Sequence, residues 1–222
     1  GTFVKTLVLL PLLKKMGVDV LYMLPIFKYS TKNKKGDLGS PYAVANFFEL
    51  DPHLKDPITS SNFSVNDEFS AFVEACHILD IKVIIDIIPR TQAIDNDLIC
   101  DHPDWFYWIK SSEKKNYRPP RIPSLGKILP PKPEYLPDIY RTQEVIEHIN
   151  RFSDNPKKLN EKKYQQLKNL YQKDSALTFP DLIKEHFGLE IAPAFSDHIN
   201  DPQPPWSDVT YFRMYFDHPG LS

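Results

Sequence analysis

One carboxylate stands out by its position. Asp86 closes the apolar run IKVIID at residues 81–86. A short apolar run that ends in an acid reads as a buried parallel strand delivering that acid to its C-terminal end. In α/β barrels, active sites sit at that end of the strands. Arg90 and Thr91 follow at once. Arg90 is a fixed cation with five donors, suited to holding Asp86, a phosphate or a glycan oxygen, and equally suited to a plain internal salt bridge. Asp95, Asp97, Asp101 and His102 come next, but their spacing fits no established metal loop, so they read as a polar connection. His102, Trp105, Phe106, Tyr107 and Trp108 form a dense run of rings. Rings build cores first, and they also offer apolar faces on which sugars stack.

The elements that would position these residues can be read from the apolar periodicity. Phe3, Leu7, Leu10 and Leu13 recur at helical spacing over residues 2–16, with Gly17 as the stop and Pro11 as a kink or a late start. Residues 18–27 read as a buried strand and the following polar stretch as a loop. Residues 65–79 read as a helix with Phe69, Phe72, Val73 and Cys76 on one face and Asn66 as the cap. A strand over 82–88 follows. Helix, strand, long loop, helix, strand implies parallel strands joined by right-handed crossovers. After Pro89 the pattern changes. Residues 118–137 are too rich in proline for a central strand or helix. Amphipathic helices are predicted near 140–152 and 157–172, the second with Tyr164, Leu167, Leu170 and Tyr171 on one side. Residues 191–205 read as loop. The lysines of the 29–42 and 111–118 stretches read as solvated, and the proline spacing after Arg118 reads as a stiff linker or a docking segment.

Composition narrows the functional classes. The chain has 222 residues, is 41% hydrophobic and 25% charged, and carries a net charge of −2. That supports a folded core and gives no polyelectrolyte signature for nucleic acid. No apolar run reaches the roughly 18 residues of a membrane span, and the apolar stretch near the start lacks a small-residue cleavage site. Cys76 and Cys100 have neither metal nor redox spacing, which favours a reducing, cytoplasmic setting over a disulfide framework. Twenty-one prolines against seven glycines fall mostly after Arg118, so the two halves differ in kind.

Three segments together resemble the α-amylase superfamily, glycoside hydrolase family 13. They are GVDVLYMLPIF, then GSPYAVANFFELDP, then, after a helix, IKVIIDIIP. Their order and spacing match the family's strand 2, strand-2 loop and strand 3. The later RTQAIDNDLICDHPDWFYWIK and PAFSDHINDPQPPWSDVTYF resemble the maltosyltransferase branch. The resemblance implies an α/β fold: a partial (β/α)8 TIM barrel, strands 2 and 3 with flanking helices, plus a large proline-rich, partly helical insertion after strand 3. The expected parts are a barrel piece over 1–88, an insertion over 89–206 and the start of a return to the barrel over 207–222, with a helix beginning near Tyr211.

The resemblance also assigns roles. Tyr42 stands at the position of a sugar-stacking tyrosine, with a loop-anchoring ring as the plainer reading. Asp86 stands at the strand-3 aspartate that supports the floor of the site. Arg90 and Thr91 replace the family's Asn and His, and Ala43 replaces an Asp, so a sugar-contacting imidazole and a calcium ligand are missing. The substrate-binding set is thus Tyr42, Asp86 and Arg90, with no metal and no cofactor. The implied partner is an α-1,4-glucan or maltodextrin, with neither nucleic acid nor membrane. The implied activity is maltodextrin transglycosylation, with an amylase-type hydrolase or a non-catalytic carbohydrate-binding barrel as alternatives. A retaining enzyme needs two carboxyl groups across the scissile bond. The resemblance places them after Ser222, so the chain reads as a fragment, inactive alone, and Asp181, Glu185 and Asp208 are not promoted to the role.

Overall fold

In the computed structural model, residues 1–34, 36–125, 134, 136–174, 177–196 and 200–213 are described. The first apolar segment breaks where its proline stands. Helix α1 (Phe3–Leu7) is capped by the Thr2 hydroxyl, which accepts from the Lys5 N–H, and α2 (Leu10–Lys15) restarts with Pro11 in its first turn. A proline is tolerated there because the first-turn N–H groups have no helical partner to lose. Gly17 follows at φ 84°, a left-handed backbone that ends the helix without a Cβ clash.

Strand β1 (Val20–Met23) is shorter than the predicted 18–27. Pro25 has no N–H to give a ladder, so the chain leaves the sheet there. It re-enters pairing as β2 (Phe27–Tyr29), which runs antiparallel to β3 (Val44–Leu50) with an irregular register. The segment GSPYAVANFFELDP is therefore the return arm of a hairpin.

Helix α3 (Val65–Ile78) starts at Val65 as predicted, but its cap lies two residues before the predicted Asn66. Ser64 is the N-cap: its hydroxyl accepts from the Asp67 N–H, while the Asp67 carboxylate accepts from the Ser64 N–H in a capping box. The helix leads into β4 (Lys82–Ile85), which pairs parallel with β1 in the register Val20↔Lys82 to Met23↔Ile85. The last rung is the Asp86 N–H donating to Met23 O at 2.8 Å, so β4 stops short of the predicted residue 88 because β1 has ended. Phe3, Leu10, Ile26, Phe72, Cys76 and Ile81 form the core between the helices and this strand pair. The result is a partial, barrel-like α/β unit with helices on one face. Among the described residues the other face is not covered, contrary to the buried strand expected, and Tyr22 there is 64% exposed.

The second half builds its own sheets. Short strand β5 (Thr91–Ala93) precedes β6 (Trp108–Lys110). Next come α4 (Leu136–Tyr140), α5 (Gln143–Ile149), β7 (Phe152–Ser153), α6 (Pro156–Leu159), α7 (Glu161–Lys173), α8 (Phe179–Phe187), β8 (Leu189–Ile191) and β9 (Val209–Tyr211). Strand β6 is central in an antiparallel sheet ordered β7-β6-β8, and β5 pairs antiparallel with β9. Residues near Tyr211 thus form a strand and not the start of a helix, because Thr91 and Tyr211 face each other in that ladder. Positions 214–222, and residues 126–133 and 135 of the proline-rich stretch, lie outside the described residues.

The predicted 157–172 helix is divided at Asn160, whose side chain caps α7. Tyr164 and Leu167 are buried on its inner face and Tyr171 packs against the same core, but Leu170 is exposed. That core gathers Ile99, Phe106, Trp108, Phe179, Ile183 and Leu189. Its polar edges are satisfied: the Trp108 indole donates to Pro103 O at 2.7 Å, and the Tyr164 hydroxyl donates to Cys100 O at 3.0 Å. The lysines predicted to be solvated include Lys32 and Lys114, which are exposed and also form ion pairs, with Asp181 and Glu190. Cys76 and Cys100 are free thiols buried in separate cores. Among the described residues, no helix is long and apolar enough to cross a membrane.

Candidate functional site

Asp86 lies where the parallel pair ends, and two phenols converge on it. The Tyr42 hydroxyl donates to Asp86 Oδ2 at 2.8 Å, joining the hairpin to the strand end. Tyr22, on β1, lies beside Asp86 on the same face. The Asp86 carboxylate raises both phenols above the ordinary tyrosine value, because it favours the neutral O–H. Tyr42 and Asp86 are half-buried, so the pair is at once anchored and accessible. Sequence reading passed over Tyr22. Strand alternation is the signal that finds it, since Tyr22 is level with Ile84 and Asp86 lies two residues on, on the same face.

Tyr42 and Arg90 line one cleft of about 420 Å³, together with Ser40, Ile88, Thr91, Trp206, Asp208, Val209 and Tyr211. Its size falls within the roughly 300–1,000 Å³ of small-molecule sites. Arg90 is exposed, with its guanidinium carbon 4.7 Å from the centre of the Tyr211 ring, a cation–π contact. Its carbonyl accepts from the Phe212 N–H at 2.9 Å. Thr91 faces Tyr211 across the β5–β9 ladder. Both residues at the Asn and His positions of the sequence pattern are therefore turned towards one tyrosine from the far end of the chain.

Ala43, the third departure from the pattern, is fully buried with Ala45, Ala93, Ala194 and Val209, and Trp206 and Tyr211 pack against this group. A carboxylate at position 43 would be buried in an apolar cluster, which costs free energy unless it is paired. Trp206, Asp208 and Tyr211 reach the cleft only through the fold. Nothing in their spacing pointed there. Asp208 is 3% exposed, and its Oδ2 has no hydrogen-bond partner among the described residues.

The acids of the polar loop go to separate partners. Asp95 accepts from the Ser30 hydroxyl at 3.0 Å, Asp97 from the Asn46 amide at 2.9 Å and Asp101 from the Lys168 ammonium at 2.5 Å. Burial pushes the Asp95 carboxyl up, and the Ser30 hydrogen bond partly offsets this. His102 stacks on Trp105 with ring centres 3.9 Å apart. Among the described residues, no group of three or more His, Cys, Asp or Glu side chains is placed to hold a metal ion. Phe106, Tyr107 and Trp108 are buried.

Residues 8–144 match the family model described as alpha amylase, catalytic domain. An alpha-1,4-glucan:maltose-1-phosphate maltosyltransferase of Salinibacter ruber is 31% identical over 114 residues, covering 44% of this chain and 16% of that protein. A cyclomaltodextrinase of Geobacillus thermopakistaniensis is 25% identical over 144 residues, covering 57% of this chain and 22% of that protein. Among solved structures, an alpha-amylase from Lactobacillus plantarum is 32% identical with a TM-score of 0.42, covering 48% of this chain and 23% of that one. The matched stretch thus spans less than a quarter of the length of these relatives.

Proposed function

Since the chain belongs to the α-amylase superfamily, glycoside hydrolase family 13, we propose that it is part of an enzyme that cleaves α-1,4-glucan links and passes the glycosyl unit to another sugar. The observation that carries this reading is the Tyr42–Asp86 hydrogen bond at the C-terminal end of the parallel strand pair, in a residue stretch matched by the family's catalytic domain. Tyr42 offers its ring to the apolar face of a glucosyl unit. Asp86 holds that ring by its hydroxyl and fixes its angle. Arg90, at the cleft wall, donates to a glycan oxygen.

Maltosyl transfer between maltodextrins is the favoured reaction, because several of the similar curated proteins are named as maltosyltransferases. Covalent transfer must keep water from the glycosyl intermediate while admitting a sugar acceptor, and the region after Pro89 serves as a wall for that purpose. The nucleophile and the general acid/base belong to a longer parent protein. The 222-residue chain alone therefore turns over no maltodextrin, and measurable turnover by it would refute this part of the reading.

Hydrolysis is the second reading, favoured by the likeness to a protein named cyclomaltodextrinase. Product analysis of the full-length protein on maltotetraose separates the two. Redistributed chain lengths without new reducing ends mean transfer, and new reducing ends mean hydrolysis. Neither, with binding retained, would mean a non-catalytic carbohydrate-binding barrel.

A further inference from the structure

We infer that Trp206 is a second sugar-stacking residue, receiving the glucosyl unit next to the one that meets Tyr42. The inference rests on the α-glucan reading above and extends it to a residue far along the chain.

Trp206 lines the same cleft as Tyr42 and Arg90. It is half-buried, so part of its surface is left to the cleft. The support beneath it is made of small side chains: Ala43, Ala45, Ala93, Ala194 and Val209 are buried, with Trp206 and Tyr211 packed against them. Larger residues there would lift the rings and fill the space they border.

The backbone that carries the indole is held before any ligand arrives. The Trp206 backbone N–H donates to Ala194 O at 2.8 Å, and the Ala194 backbone N–H donates to Val209 O at 2.7 Å, which ties the segment to β9. With its backbone fixed and one side packed on the small-residue cluster, the ring has less freedom to lose on binding, and a restrained aromatic surface is what a pyranose C–H face stacks on.

Tyr211 is not the equivalent platform. Its hydroxyl donates to Phe195 O, and the Arg90 guanidinium lies over its ring. Tyr211 instead steadies Arg90, so that a cation with several N–H donors shares the cleft with the Trp206 ring. An apolar platform beside a forked donor suits a neutral polyol: the ring takes the C–H face, and the guanidinium takes hydroxyl or ring oxygens. The other two tryptophans are placed differently. Trp108 is buried, and Trp105 is stacked on His102.

Binding of maltotriose to the full-length protein, followed by tryptophan fluorescence and calorimetry, tests the assignment. In the wild type, maltotriose should shift the tryptophan emission. Trp206→Ala should abolish that shift and weaken binding about tenfold with the folded circular dichroism spectrum retained, whereas Trp206→Phe should keep most of the affinity. If Trp206→Ala binds maltotriose as the wild type does while Tyr42→Ala is weakened, the inference is overturned and the glucan reading stands. If the wild type binds no maltodextrin, the glucan reading falls and the inference falls with it.

Discussion

Around β1 and β4, the side chains of Val20, Tyr22, Leu24, Ile84, Ile87 and Ile88 stand 40–64% exposed, whereas Phe106, Trp108, Ile109 and Ile183 in the second half are at most 1% exposed. The first region pairs two parallel strands and covers them with helices on one side only. The second closes a three-stranded antiparallel sheet against α7 and α8 and leaves few large apolar groups outside. Strand β6 takes its two neighbours from residues 152–153 and 189–191, and α7 and α8, which lie between those neighbours in the chain, supply the cover for the core. A parallel pair needs covering layers on both faces. The region that carries Asp86 is thus the less complete one, and the region that contributes Trp206 and Tyr211 to the cleft is the self-sufficient one.

The sharpest way to break this comparison is to empty the closed core. Trp108→Ala removes a buried ring whose indole donates to Pro103 O, and should cost roughly 3–5 kcal/mol, read as a large drop in melting temperature. A small loss would mean that the second region is not the stable one.

Next in size is a pH effect confined to the same region. His148 is buried among Tyr117, Phe152 and Phe195, and burial lowers its pKa from 6.5 to about 4, with the Arg118 backbone partly opposing this and Arg151 adding to it. A depressed folded-state pKa gives stability that is full above 6.5 and is lost as pH falls towards 4. The loss is on the order of 3 kcal/mol. Denaturant melts at pH 7 and pH 4 should show it, and His148→Phe should flatten the difference. A flat wild-type profile would remove the proton linkage.

In the first region the expected effects are smaller. Ser64→Ala breaks the capping box of α3 and should cost about 1 kcal/mol, followed by thermal melting. Ile84→Thr changes a side chain that is 48% exposed on the open sheet face. It should move stability by less than about 0.5 kcal/mol and raise the soluble fraction on expression. A loss as large as that of Trp108→Ala would show that this face is covered in solution and would erase the contrast between the regions.

The elements around Asp86 were legible because each rests on local physics. Period-3.6 patterning marks α3, the apolar run 81–85 marks β4, and the intervening lengths demand a parallel crossover. Errors arose where one residue overrides a pattern. Pro25 divides an apolar stretch into β1 and β2, Ser64 outcompetes Asn66 as the cap, and Asn160 cuts one helix into two. Tyr42 was found through a motif, and Arg90 through its departure from one, but the partner of Arg90 was not.

The sequence alone determined the strand that ends in Asp86, the helices beside it and the family to which these segments belong. These follow from periodicity, capping and spacing within short windows. Only the tertiary structure decided that Tyr22 and Tyr42 share Asp86, that Arg90 lies over Tyr211, and that Trp206 enters the same cleft. Residues 90 and 211 meet through the β5–β9 ladder, which spans more than a hundred residues of chain. Such a pairing is selected by the packing of both regions together and leaves no periodic trace in either segment.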